Sequence, residues 1–202
     1  MKFGTLFRIY FLLIPLLLWV VAPLFLPASW FLISEGELLN NSQLVGEGRH
    51  EQILQASHAK FNAYFVDNGI VKKTMDMTKK RGDSNATMAK TILSKYVNNF
   101  WLQTYKVLYR IELVKFWYVG FLTVLIAAFV DGMVIRKKKT YAADIANPLA
   151  FHIFGHAFFA VIGGLVLLPL LPFTISNLAW PIATAVFCLL TWAVAKNFQT
   201  GR

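Results

Sequence analysis

The 202-residue chain has a single cysteine, Cys188, set within an apolar run. A lone cysteine excludes an intramolecular disulfide and any cysteine-based metal cluster. Internal repeats and low-complexity tracts are absent. So are the short patterns of common chemistry: no serine lies in a G-x-S-x-G, and there is no P-loop, G-x-G-x-x-G or H-E-x-x-H. Acidic residues are scarce, ten Asp and Glu against twenty Lys and Arg. The resulting net charge of +10 is a weak pointer to nucleic acid, because many of the cations fall where membrane proteins place them.

What is abundant is apolar. Hydrophobic residues make up 57% of the chain and charged ones 15%, a balance that reads as an integral membrane protein. The clearest span is Phe116 to Tyr141, broken only by Asp131 and closed by Arg136-Lys137-Lys138-Lys139. At ~1.5 Å per residue, about twenty helical residues cross a ~30 Å hydrocarbon core. The basic run marks the cytoplasmic side, and Phe116, Trp117 and Tyr118 form an aromatic belt at the other end.

The remaining chain is read against that span. Residues 1–34 give a short basic N-terminus and an apolar run from Ile9 to Ile33, longer than the ~7–15-residue core of a signal peptide. It is expected to be a retained first span, kinked or ended early by Pro15, Pro23 and Pro27. A third span is expected from Pro148 to about Leu171 and a fourth from Leu178 to Ala195, joined by the short outer turn Pro172–Asn177. Both termini then lie inside: Lys2, Arg8, the four cations at 136–139, Lys196 and Arg202 fall on the inner side, and the outer turn carries none.

Residues 35–115 differ sharply, with twelve Lys/Arg and eight Asp/Glu. Ile53, Leu54, Ser57, Phe61, Tyr64 and Phe65 make a helical stripe closed by Asn68-Gly69. Lys72 to Asp83 reads as a basic loop. Ser84 or Asn85 can then cap a second helix that carries Ile92, Tyr96, Phe100, Trp101, Tyr105, Leu108 and Ile111. No breaker separates that helix from Phe116, so it is expected to run on into the second span. The fold class is thus all-α: four transmembrane helices, with an extracytoplasmic helical hairpin between the first two. Arg81-Gly82-Asp83 reads as a polar turn. Asn40-Asn41-Ser42 and Asn85-Ala86-Thr87 match the glycosylation pattern, which matters only in a eukaryotic secretory setting.

Ionisable groups inside a span are costly, so Asp131, His152 and His156 are the candidate functional residues. All three fall near the inner face. Gly120, Ala127, Ala128 and Asp131 share a small-residue face of the second span, and His152, His156, Ala160 and Gly164 recur every four residues on the third; such faces let helices approach closely. The expectation is a structural pairing of Asp131 with His152 or His156. A proton or ion path through the same three residues is the competing reading, that of a small transporter or channel subunit. Metal catalysis ranks last, because no third intramembrane histidine is present, and His50 and His58 fall on the opposite side. No cofactor is called for.

Val130-Asp131-Gly132-Met133-Val134-Ile135-Arg136, followed by Tyr141, Pro148 and His152, resembles the V-D-G-x-V-x-R stretch of the TraJ-like inner-membrane proteins of conjugative plasmids and integrating conjugative elements. The layout of one span, a loop of roughly seventy to eighty residues, the V-D-G span and two closing spans is shared along the whole chain. The resemblance implies a non-enzymatic subunit of a conjugative type IV secretion system, acting as the membrane partner of the coupling ATPase. In that setting Arg136–Lys139 serves chiefly as an orientation signal, with the ATPase, anionic lipid and passing DNA as other contacts. Direct DNA contact and homo-oligomer formation stay open.

Overall fold

The structure, a computed structural model, describes residues 13–80, 87–141, 148–176 and 178–198. The polar turn at 81–83, the cap at Ser84 or Asn85, the turn 142–147 and the terminal cations Lys2, Arg8 and Arg202 lie outside the described residues. Among those described, regular structure is helical throughout, with no strand. In chain order the elements are α1 (Ile14–Phe25), a 3-10 turn (Ala28–Trp30), α2 (Glu35–Val45), α3 (Glu47–Phe61) with its π-helical extension (Asn62–Val66), α4 (Ile70–Lys80), α5 (Thr87–Tyr141), α6 (Pro148–Leu167) with a 3-10 end (Leu168–Leu170), and α7 (Ala179–Asn197).

Two segments, Leu149–Leu170 and Ala179–Asn197, are long and apolar enough to cross a membrane. A third is added if Met88–Trp117 and Gly120–Lys139 of α5 count as one span. The described part of α1 has 12 residues and stops at Phe25, two positions before Pro27, where Leu26 turns extended. That is the expected action of a proline on the residues before it.

The chain divides into two compact units. The first comprises Met1–Leu113 with Leu167–Asn177, and the second Val114–Val166 with Leu178–Arg202.

The first unit holds more helix than the sequence led us to expect. Ser34 caps α2 by accepting a hydrogen bond from the Glu37 N–H at 3.2 Å, and Glu35 and Glu37 lie in the first turn, where the helix dipole favours negative charge. The stretch expected as a basic loop from Lys72 to Asp83 is helical as far as Lys80. Asn68-Gly69 does interrupt the chain: Asn68 Nδ2 donates to the Ala63 and Tyr64 carbonyls, and Gly69 sits at φ +69°. A new helix then starts at Ile70, because the left-handed glycine re-aims the backbone without ending helical structure. Trp101 Nε1 donates to Thr74 Oγ1 at 3.0 Å and ties α4 to α5.

α3 lies along the first half of α5 through rings: Phe61 against Trp101 and Tyr105, and Phe65 against Trp101 at 5.3 Å between centroids. His58 and Tyr105 share a 3.0 Å hydrogen bond, and Lys60 pairs with Glu112 at 2.6 Å.

In the second unit α5, α6 and α7 meet along aromatic contacts. Phe187 stacks on Phe158 at 4.9 Å and lies 5.5 Å from Phe121. The closest approach is at Gly132. A Cβ placed there would fall 2.7 Å from the Trp192 carbonyl oxygen and 2.8 Å from Ala195 Cβ, so only glycine lets α5 and α7 touch at this point.

Candidate functional site

In the first unit, one face of α5 is buried and polar. Asn99, Gln103, Lys106 and Arg110 are each no more than 1% exposed. Their spacing of four, three and four residues puts them on a single helix face. Each donates to backbone carbonyls that no helix satisfies. Asn99 Nδ2 reaches Pro23 O at 3.1 Å and Leu26 O at 3.0 Å. Gln103 Nε2 reaches Leu170 O at 3.3 Å. Lys106 Nζ reaches Trp30 O and Leu32 O at 3.0 Å and Pro172 O at 2.9 Å. Arg110 donates to Pro169 O at 3.4 Å, to Phe173 O at 2.7 Å and to Leu171 O.

The physical cause lies in the prolines. α1 ends just ahead of Pro27, which has no N–H to offer the Pro23 carbonyl, and the chain leaves helix in the proline-containing 168–173 segment, so buried carbonyls at both places must find other partners. The ladder on α5 supplies those partners and thereby holds the end of α1 and the 168–173 segment against one helix.

The two cations of the ladder share one acid. Glu37 accepts from Arg110 Nε at 2.9 Å and from Arg110 Nη2 at 3.2 Å, a two-pronged pair, while Lys106 Nζ stands 3.8 Å away. Beside it, Tyr109 is fully buried and its hydroxyl accepts from Asn41 Nδ2 at 3.0 Å. His50 Nε2 lies 3.0 Å from the same hydroxyl. Burial pulls the His50 imidazole below its ordinary 6.5, which suits a neutral ring accepting a hydrogen bond from the Tyr109 hydroxyl. Every member of this cluster is engaged in holding structure.

In the second unit the residues singled out from the sequence are not drawn together. Asp131 Oδ2 accepts from Trp192 Nε1 of α7 at 2.8 Å, so the partner it takes in the structure is an indole and not either histidine of α6. His152 and His156 lie one turn apart on α6 with exposed rings. Gly120, Ala127, Ala160 and Gly164 are exposed within this chain and Ala128 is half-buried, whereas Gly132 makes the tight contact. Arg136 places its guanidinium carbon 5.2 Å from the Phe198 ring centre, and Lys196 its ammonium 4.5 Å from that of Trp192. Lys137 and Lys138 are exposed and Lys139 is half-buried. Among the described residues no three His, Cys, Asp or Glu side chains come together to hold a metal ion.

Sequence reasoning missed two signals. Ser34-Glu35-Gly36-Glu37 has the S-x-x-E form of a helix start, although the Glu37 carboxylate goes to Arg110. Lys106 and Arg110 have the four-residue spacing of one helix face, yet a polar face ordinarily turns to water.

Comparison with known proteins adds one result. A family model described as IncC plasmid conjugative DNA transfer protein DtrJ-like matches residues 30–199. No curated protein and no solved structure matches the chain.

Proposed function

Because the chain belongs to the DtrJ-like family of conjugative DNA transfer proteins, we propose that it is a non-enzymatic inner-membrane subunit of the apparatus that passes DNA from donor to recipient. In this reading it is a four-span protein with both termini in the cytoplasm, and residues 35–115 stand outside as a helical platform. It gives the coupling ATPase of the secretion channel a membrane partner. The family match carries the reading. Two physical observations support it. The buried cations of α5 are committed to backbone carbonyls and to Glu37, which suits a rigid assembly part better than a reaction centre. The exposed small residues Gly120, Ala127, Ala160 and Gly164 leave close-packing faces for neighbouring subunits.

Affinity purification from the membranes of mating-competent cells in mild detergent, with mass spectrometry of what is retained, tests this role. Recovery of a transfer ATPase or of secretion-channel subunits agrees with it. Recovery of the chain alone as a defined oligomer contradicts it.

A further inference from the structure

Two turns of the first unit meet at one nitrogen. Lys106 Nζ donates to the carbonyls of Trp30, Leu32 and Pro172 at 3.0, 3.0 and 2.9 Å. Three oxygens at hydrogen-bond range of one nitrogen lie within about 6 Å of one another. The chain at 30–32 and the chain at 172 are thus fixed side by side. Arg110 repeats the arrangement one helical turn on, with Glu37 on one side and the carbonyls of Pro169, Leu171 and Phe173 on the other.

The side chains alternate about this joint. Phe31 and Ile175 are buried, at 1% and 7% exposure, while Trp30, Leu32 and Phe173 remain 45%, 51% and 48% exposed. With its carbonyls pinned and Phe31 directed inward, the first turn holds Trp30 and Leu32 outward. Both turns are also without charge: residues 26–34 and 168–178 contain no Asp, Glu, Lys or Arg. The cations beneath them, Lys106 and Arg110, are committed to carbonyls and to Glu37. Exposed aromatic and aliphatic side chains on an uncharged surface suit the boundary between hydrocarbon and headgroups.

Chain continuity says what covers this surface. Leu149–Leu170 is long and apolar enough to cross a membrane, and Phe173 follows it by three residues. We propose that Trp30, Leu32 and Phe173 insert together into the headgroup and upper acyl region of the bilayer, as one wedge that seats the first unit on lipid. Phe173 reaches that depth as the chain leaves the span. Trp30 and Leu32 share it because Lys106 binds both turns at one point. The platform built from α2 to α4 is then fastened to the membrane by contact as well as by its chain connections. The inference rests on the membrane reading of α6 and is independent of the role in DNA transfer.

In the full chain carrying Cys188→Ala, single cysteines are introduced as Leu32→Cys, Phe173→Cys, Asn40→Cys and Val166→Cys. All four native side chains are exposed, so a nitroxide label at each leaves the packing in place. After reconstitution in phosphatidylcholine liposomes, relaxation of each label by oxygen, which concentrates in lipid, is compared with relaxation by a water-soluble nickel chelate. The labels at 32 and 173 are expected to favour oxygen, at a depth of about 5–10 Å, and the label at 40 to favour nickel. Adding phosphatidylglycerol should leave those depths unchanged; entry into lipid only in its presence would mark an anion site and overturn the wedge. The label at 166 carries the membrane reading, and nickel reaching it as freely as the label at 40 would end that reading and the wedge together. Oxygen preference at 166 with nickel preference at 32 and 173 overturns the wedge alone. Shielding of 32 and 173 from both reagents would mark a protein neighbour on this face, and equally overturn it.

Discussion

Replacing Arg110 by methionine keeps most of the aliphatic volume and removes every hydrogen bond of the guanidinium. The side chain is fully buried, with two donors on Glu37 and others on the carbonyls of Pro169, Leu171 and Phe173. Glu37, 4% exposed, would be left with Lys106 at 3.8 Å as its nearest cation. Removing one partner of a buried, hydrogen-bonded pair costs about 3–5 kcal/mol, because the remaining charge stays desolvated. The freed carbonyls add to this only where water cannot reach them, so they are not summed. Against a typical net stability of about 5–15 kcal/mol, that is roughly a fifth or more of the whole. At about 2–4 °C per kcal/mol for a chain of this size, the melting temperature should fall by roughly 10 °C. The assay is thermal unfolding in detergent, followed by size-exclusion fluorescence. Arg110→Lys should fall between the two, since an ammonium cannot make the two-pronged contact. Glu37→Met combined with Arg110→Met should be milder than Arg110→Met alone, because no acid is then stranded. An Arg110→Met protein melting within about 2 °C of wild type would refute the ladder's role in stability.

Three further outcomes are expected. Gly132→Ala must push α5 and α7 apart, given contacts of 2.7 and 2.8 Å from the new Cβ, and should lower stability by about 1–3 kcal/mol; Gly120→Ala and Gly164→Ala meet nothing within 4 Å and should leave the monomer unchanged, so that any loss in crosslinked complexes reports a neighbouring subunit. Asp131→Asn keeps an oxygen for the Trp192 indole and should melt close to wild type, whereas Asp131→Ala and Trp192→Phe should each cost about 1 kcal/mol and not add when combined; equal loss from Asn and Ala would place the importance in the charge. Stability should also fall in acid through His50. Burial holds its folded pKa below 6.5, so between the two values the unfolded chain binds more protons than the folded one. The contribution is complete above pH 6.5 and is lost as the pH falls below it. Equilibrium unfolding between pH 8 and 5 checks this, and His50→Gln should flatten that part of the curve.

How much could be read in advance follows the range of the interactions. The helix break at Asn68-Gly69, the end of α1 ahead of Pro27 and the helix that carries Tyr96 to Ile111 on as far as Trp117 depend on residues close in sequence, and each stood in the chain as written; the 54° bend between Trp117 and Gly120 did not. α2 and α4 are hard to see for local reasons: the composition turns polar at Glu35, which reads as a loop, and Lys72-Lys73 open a basic stretch that hides a helix whose Thr74 meets Trp101. The buried ladder was invisible for a different reason. Lys106 and Arg110 look like solvent-facing or membrane-flanking cations, and their burial is favourable only because carbonyls more than fifty residues away, at Trp30, Leu32 and 169–173, arrive unpaired. The partner of Asp131 depends on how α7 is rotated against α5. Spacing along either helix brings Trp192 no closer to it than His152 or His156.

The central property proposed for this chain is a role in DNA transfer. The direct measurement is conjugation frequency from donors in which the coding sequence has been deleted in frame, with and without the wild-type chain supplied in trans. The expected result is a loss of transfer by orders of magnitude, restored by the wild-type chain and by Asp131→Asn, and restored poorly by Arg110→Met. Transfer at wild-type frequency from the deletion donor would contradict it.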